Sequence, residues 1–102
     1  MAILHTVNKS PYEKDSLAAC LRLDKAGSTI MMIEDGVYGA MDGSEAAGAV
    51  RAAMSGIKVY VLGPDLAARG CATDKMIDGL ESVDYAGFVE LATQYDTVQA
   101  WL

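Results

Sequence analysis

Short apolar runs and helix-period stretches take turns along this chain. Residues 3–7, Ile-Leu-His-Thr-Val, read as a β-strand that ends at Asn8. A helix start follows at once. Ser10 can cap, Pro11 suits the first helical position, and Glu13 completes a Ser-x-x-Glu capping box. The predicted helix covers 11–23, closes in Asp24-Lys25-Ala26-Gly27 and carries Cys20. Residues 29–33 are uncharged and mostly apolar, the pattern of a strand covered on both faces. Glu34-Asp35-Gly36 stops that run, and 37–41 predict one helical turn.

Asp42-Gly43-Ser44-Glu45 opens a second helix that ends at Gly56, with Ala46, Ala49, Val50, Ala53 and Met54 as its expected buried side. Residues 57–62 are the plainest strand. They pass directly into Gly63-Pro64-Asp65, where proline and an acid favour a helix start, and that short helix closes at Gly70. The segment 71–79 reads as irregular and 80–83 as a short strand. Asp84 caps a last helix whose Tyr85, Phe88, Val89, Ala92 and Tyr95 share one apolar stripe. Residues 97–102 predict the final strand. Strands alternating with helices imply an α/β fold with a mainly parallel sheet between helix layers, in one domain over 1–102.

Composition narrows the function. The hydrophobic set makes up 52% of the 102 residues. Counted with glycine and without tyrosine, the apolar share exceeds the roughly 45–50% of ordinary domains. A chain this short has much surface for its volume, so part of that excess is expected to face partner subunits. The net charge of −6 argues against gripping a nucleic-acid backbone. The sequence has no apolar run long enough to span a bilayer and no basic-then-apolar leader, which gives a cytoplasmic expectation. Its two cysteines, Cys20 and Cys71, then read as free thiols. Without Cys-x-x-Cys, and with one histidine, no structural zinc site is expected.

Candidate chemistry is sparse. Dinucleotide, P-loop and nucleophile-elbow motifs are missing. A receiver domain would place acids after the first strand, where this chain has Asn8 and Lys9. Ligands of such folds gather at the carboxyl ends of the strands, which here supply Asn8-Lys9-Ser10, Glu34-Asp35-Gly36, Gly63-Pro64-Asp65 and Asp84. Glu34-Asp35 reads either as a cation site or as a solvated turn, the turn being the commoner use of adjacent acids before glycine. The Asn8-Lys9-Ser10 helix start offers a small-anion site. His5, alone on an apolar strand, reads as a hydrogen-bonded structural residue. Cys20, beside Leu21 and three positions from Leu17, is either an inert core thiol or a nucleophile. Cys71 follows Arg69-Gly70 and is expected nearer the surface, with Arg69 placed to stabilise a thiolate.

The ordered set of segments resembles the DsrH/TusB family. It consists of Leu4-His5-Thr6-Val7 with Ser10-Pro11, Leu21-Arg22-Leu23, Ile33-Glu34-Asp35-Gly36-Val37, Ile57-Lys58-Val59-Tyr60-Val61-Leu62, Asp65-Leu66 with Arg69-Gly70, Val83-Asp84-Tyr85 with Phe88-Val89, and Ala100-Trp101. The likeness runs nearly end to end and lies nearest the DsrH branch, the small subunit of DsrEFH complexes. The resemblance implies a five-stranded sheet in a three-layer α/β/α sandwich. It also implies a cytoplasmic 2:2:2 assembly with DsrE-like and DsrF-like subunits. The implied work is relay of persulfide sulfur to a DsrC/TusE-type carrier in dissimilatory sulfur oxidation, with no metal or organic cofactor. The alternatives are a TusB-like relay for 2-thiolation of the tRNA wobble uridine and a purely structural subunit. By the same resemblance Cys20 is the candidate persulfide-carrying thiol, and the principal catalytic cysteine belongs to another subunit. Nothing in the family gives Cys71 a role.

Overall fold

A computed structural model describes residues 3–10, 17, 28–43, 47–71 and 73–101. The expected helix over 11–23, and Cys20 with it, lies outside the described residues apart from helical Leu17.

Five strands form one sheet: β1 (Ile3–Val7), β2 (Thr29–Met32), β3 (Lys58–Leu62), β4 (Glu81–Val83) and β5 (Thr97–Trp101). Their spatial order is β4-β3-β2-β1-β5, and every pair is parallel. Residues 4–7 of β1 and all of β2 are buried, because both faces of these central strands are covered. That is why neither strand alternates apolar with charged positions, and why their polar members His5, Thr6 and Thr29 are buried with the rest. The outer strands β4 and β5 are largely exposed.

Paired residues of a parallel sheet point to the same side. His5, Val7, Ile30, Met32, Val59, Val61 and Trp101 therefore share one face. That face holds the main core, closed by Leu17, by a 3-10 helix (Glu34–Ala40) through Val37 and Ala40, by α1 (Ala47–Ala53) through Ala47 and Val50, and by α2 (Gly63–Ala68) through Leu66. The first three crossovers step the same way along the sheet and the last reverses. With right-handed connections, α3 (Tyr85–Thr93) then falls on the opposite face. A hydrogen bond between Tyr95 Oη and Thr29 Oγ1 agrees with this, since Thr29 is on the same face as Leu4 and Met31.

Several expectations shift. The buried stripe of α1 runs through Ala47 and Val50, with Met54 half-buried beyond, whereas Ala49 is exposed. The helix is rotated from the expected side because Ala47, three positions before Val50, shares its direction and Ala49 does not. Ala46 lies outside the described residues. The helical turn after β2 begins earlier, at Glu34. In the irregular segment, a short 3-10 helix (Thr73–Lys75) is followed by Met76, which bridges Met41 in antiparallel fashion. Asp84 caps α3 as expected, its Oδ1 accepting from the Gly87 N–H at 2.7 Å. The apolar stripe of α3 is the largest departure. None of its residues is fully buried; Phe88, Leu91 and Ala92 are half-buried, and Tyr85 and Val89 face outward.

Candidate functional site at the carboxyl edge of the sheet

Three of the four strand-end loops meet at this edge. After β1, the Val7 carbonyl accepts from the Ile33 N–H at 3.0 Å, which ties the two loops together. Gly36 packs onto that carbonyl so closely that a Cβ there would strike its oxygen and lie 2.8 Å from its carbon. Glycine is required at this point for want of space, not for its torsion. Two residues earlier, Glu34 takes a left-handed φ of 50°. This is an unfavourable conformation for a residue with a side chain, and its N–H is held by Asp65 Oδ2 at 2.6 Å.

Asp65 stands in the first turn of α2, behind Pro64. Four residues on, Arg69 reaches across to the β2 loop. Its Nε donates to Asp35 Oδ1 at 2.8 Å, and its Nη1 lies 3.9 Å from Asp65 Oδ1. The hydrogen bond to Asp35 holds the guanidinium pKa above its ordinary value, while desolvation pulls the other way. The arrangement is a cation clamped between two carboxylates, pinning the β2 and β3 loops to each other.

That clamp corrects two expectations. Arg69 does not serve Cys71: its charge goes to Asp35 and Asp65, whose full charges outbid a weakly acidic thiol. Cys71 is half-buried against the main core rather than outward, and its N–H donates to the Leu66 carbonyl at 3.0 Å. Of the acidic pair proposed for a cation, Asp35 is engaged by Arg69. Among the described residues, no three His, Cys, Asp or Glu converge as metal ligands. Asp84 is occupied in capping α3. At the end of β1, Asn8 Oδ1 is enclosed without a hydrogen-bond partner, an open acceptor at this edge.

His5 is buried, and its Nδ1 accepts from Trp101 Nε1 at 3.0 Å, the hydrogen-bonded structural place expected of it. Sequence reasoning missed the joining role of Arg69. The only local signal was the Asp65–Arg69 spacing of four on a helix; the pairing with Asp35 is 34 positions away. No helix among the described residues is long and apolar enough to cross a membrane.

The chain's relatives bear on what this edge serves. A sequence model described as "DsrH like protein" matches residues 9–98. Protein TusB of Escherichia coli O81 (strain ED1a) is 39% identical over 99 residues, covering 97% of this chain and 100% of that protein. Protein TusB of Shigella flexneri is 38% identical over the same coverage. The crystal structure of the ychN protein from E. coli superposes with a TM-score of 0.87 over 99% of each chain at 19% identity. Protein MTH1491 from Methanobacterium thermoautotrophicum gives 0.73 over 96% of each chain at 14% identity. These two likenesses concern the fold, and they match the five-stranded parallel sheet described above. Together, the matched family model and the full-length TusB relatives make this chain a member of the DsrH/TusB family.

Proposed function

We propose that this chain is the TusB-like subunit of a cytoplasmic sulfur relay that supplies 2-thiolation of the tRNA wobble uridine. The observation that carries the proposal is its 39% identity to TusB over that protein's entire length. This favours the tRNA branch over the sulfur-oxidation role toward which the sequence leaned. In such a relay, the thiolate of an acceptor cysteine attacks the outer sulfur of a donor persulfide. A new S–S bond forms, the old one breaks, and the donor leaves as a thiolate. The pair undergoes no net oxidation and needs no added cofactor.

The described part of the chain supplies a rigid body for this work rather than an evident nucleophile. At the carboxyl edge Asp35 and Asp65 are engaged by Arg69, and Cys71 sits against the core. The proposal therefore gives the chain an assembling role beside DsrE-like and DsrF-like subunits, one of which holds the principal cysteine. A DsrC/TusE-type carrier receives the sulfur. Cys20 remains the candidate auxiliary thiol.

Deleting the gene and measuring 2-thiouridine in digested tRNA tests this directly. The modification is expected to fall and to return with the wild-type gene; unchanged 2-thiouridine overturns the proposal. Complementation with Cys20→Ser separates the roles. Full rescue assigns assembly alone, whereas failure of a stably assembled variant, with an added sulfur atom on the Cys20 peptide of the wild type, assigns sulfur carriage.

One observation favours a second reading. Cys20 stands where the DsrH branch is expected to carry its thiol, so the chain is also read as a DsrEFH subunit in sulfur oxidation. That reading predicts loss of growth on reduced sulfur with tRNA thiolation intact.

A further inference from the structure

A hollow of about 400 Å³ opens at the amino edge of the sheet, at the end opposite the Arg69 clamp. Its volume falls within the roughly 300–1,000 Å³ of small-molecule sites. Three pieces of the chain meet there without filling the space. Thr29 and Lys58 pair in register where β2 and β3 begin, so their side chains stand together on the sheet face away from the main core. Tyr95, just past the end of α3, reaches the same spot, with its Oη bonded to Thr29 Oγ1. The turn that ends α1 wraps round the edge from the other face and brings Met54 and Ile57, both half-buried against the main core.

The polar groups of this hollow are mostly donors in want of an acceptor. Lys58 is exposed, and neither its ammonium nor Ser28 Oγ forms a hydrogen bond or ion pair among the described residues. The hydroxyl pair adds another donor. Tyr95 and Thr29 carry two O–H hydrogens, and the bond between them uses one. The hydroxyl that accepts keeps its own hydrogen, for which the described residues supply no acceptor. Thr29 is only 2% exposed, so bulk water has little access to the pair from that side. Ser55 Oγ is the opposite case, since it already donates to the Ala52 carbonyl. Donors in excess favour an acceptor-rich ligand, and Lys58 sets its sign as negative. Glu81 lines a smaller adjoining hollow of about 140 Å³ on the β4 side of Lys58, which leaves the Thr29 side as the seat for an anion. Met54 and Ile57 decide against a bare inorganic ion. They offer apolar surface that phosphate would leave uncovered and an alkyl or aromatic body would bury.

We propose that this hollow binds a small organic acid, its carboxylate on Lys58, Ser28 and the Thr29–Tyr95 hydroxyl pair and its apolar body against Met54 and Ile57. The site lies apart from the carboxyl edge and does not depend on the relay reading. Hexanoate, acetate, hexylamine and inorganic phosphate are titrated separately into the full-length chain and followed by amide shifts in two-dimensional NMR. Hexanoate is expected to give saturable shifts, largest at the amides of Ser28, Thr29, Gly56 and Lys58. Acetate, which lacks the apolar body, is expected to bind about tenfold more weakly or worse. Phosphate and hexylamine should be weaker still. Lys58→Met keeps the length of the side chain and removes its charge, and is expected to weaken hexanoate binding about tenfold or more. Ser28→Ala is expected to weaken it severalfold and provides a second variant should Lys58→Met disturb the fold. Lys75→Met, at an exposed lysine that does not line the hollow, is expected to change nothing. Hexanoate shifts that fail to saturate, or that Lys58→Met and Ser28→Ala both leave unchanged, overturn the site. Acetate, phosphate or hexylamine binding as tightly as hexanoate overturns its assignment to an organic acid. None of these outcomes bears on the relay reading, which stands or falls with tRNA thiolation.

Discussion

Trp101 donates its indole N–H to Nδ1 of His5 at 3.0 Å, across the β5–β1 pair and 96 positions apart in sequence. The ring planes are tilted by 53°, with centroids 6.0 Å apart. The bond requires an unprotonated Nδ1. It anchors an edge strand whose other residues are all exposed, so it does for β5 what core packing does for β1 and β2. Trp101→Phe keeps a ring but removes the donor, leaving a buried acceptor short of one partner. A loss of about 1–2 kcal/mol is expected in urea unfolding. Hydrogen exchange should rise first in residues 97–101.

Gly36 and Gly48 give opposite outcomes for the same change. Gly36→Ala drives a methyl into the Val7 backbone, which cannot swing aside as a side chain can. A loss of about 3 kcal/mol or more is expected, seen as poor soluble yield or a much lower urea midpoint. Gly48 lies in α1 with nothing within 4 Å of an added Cβ. Gly48→Ala should stabilise by about 0.5–1 kcal/mol.

The Arg69 clamp is half-exposed, and its worth is modest. Arg69→Ala is expected to cost about 1 kcal/mol or less, with the difference from wild type shrinking in 1 M salt. Because the guanidinium pKa is raised in the folded state, its contribution is present below the arginine's ordinary value, as long as Asp35 and Asp65 are ionised, and on the alkaline side is lost only above that value. Stability conferred through Arg69 itself should therefore be level across the neutral range in a pH series of melts.

Glu34 offers a converse test. At φ 50° a side chain is unfavourable and glycine is at ease. Glu34→Gly is expected to raise stability by about 0.5–1 kcal/mol. Asp65→Ala, which removes the acceptor for the Glu34 N–H, should lower it by about 1–2 kcal/mol.

Asp84→Ala removes the side chain that caps α3. A loss of about 1 kcal/mol is expected from thermal or urea unfolding, with Asp84→Asn close to wild type because asparagine caps as well.

The sequence by itself determined the local elements. All five strands were marked to within a residue or two by apolar runs bounded by Gly, Pro and acids, and the cap at Asp84 and the helix start at Pro64 were plain. These features depend on groups a few positions apart, so a linear pattern records them. The DsrH/TusB likeness was also legible, since it lies in the order of those same segments. What only the tertiary structure decided was how distant groups meet. Periodicity placed Tyr85 and Val89 on an apolar stripe, but whether a stripe faces a core or open solvent depends on what the fold lays over it, and among the described residues nothing covers Tyr85 and Val89. Arg69 had Cys71 two positions away and Asp35 far off, and the parallel sheet brought the stronger charge to it. His5 and Trp101, at opposite ends of the chain, became partners because β5 returns to the far side of β1, a choice of strand order that no local pattern encodes.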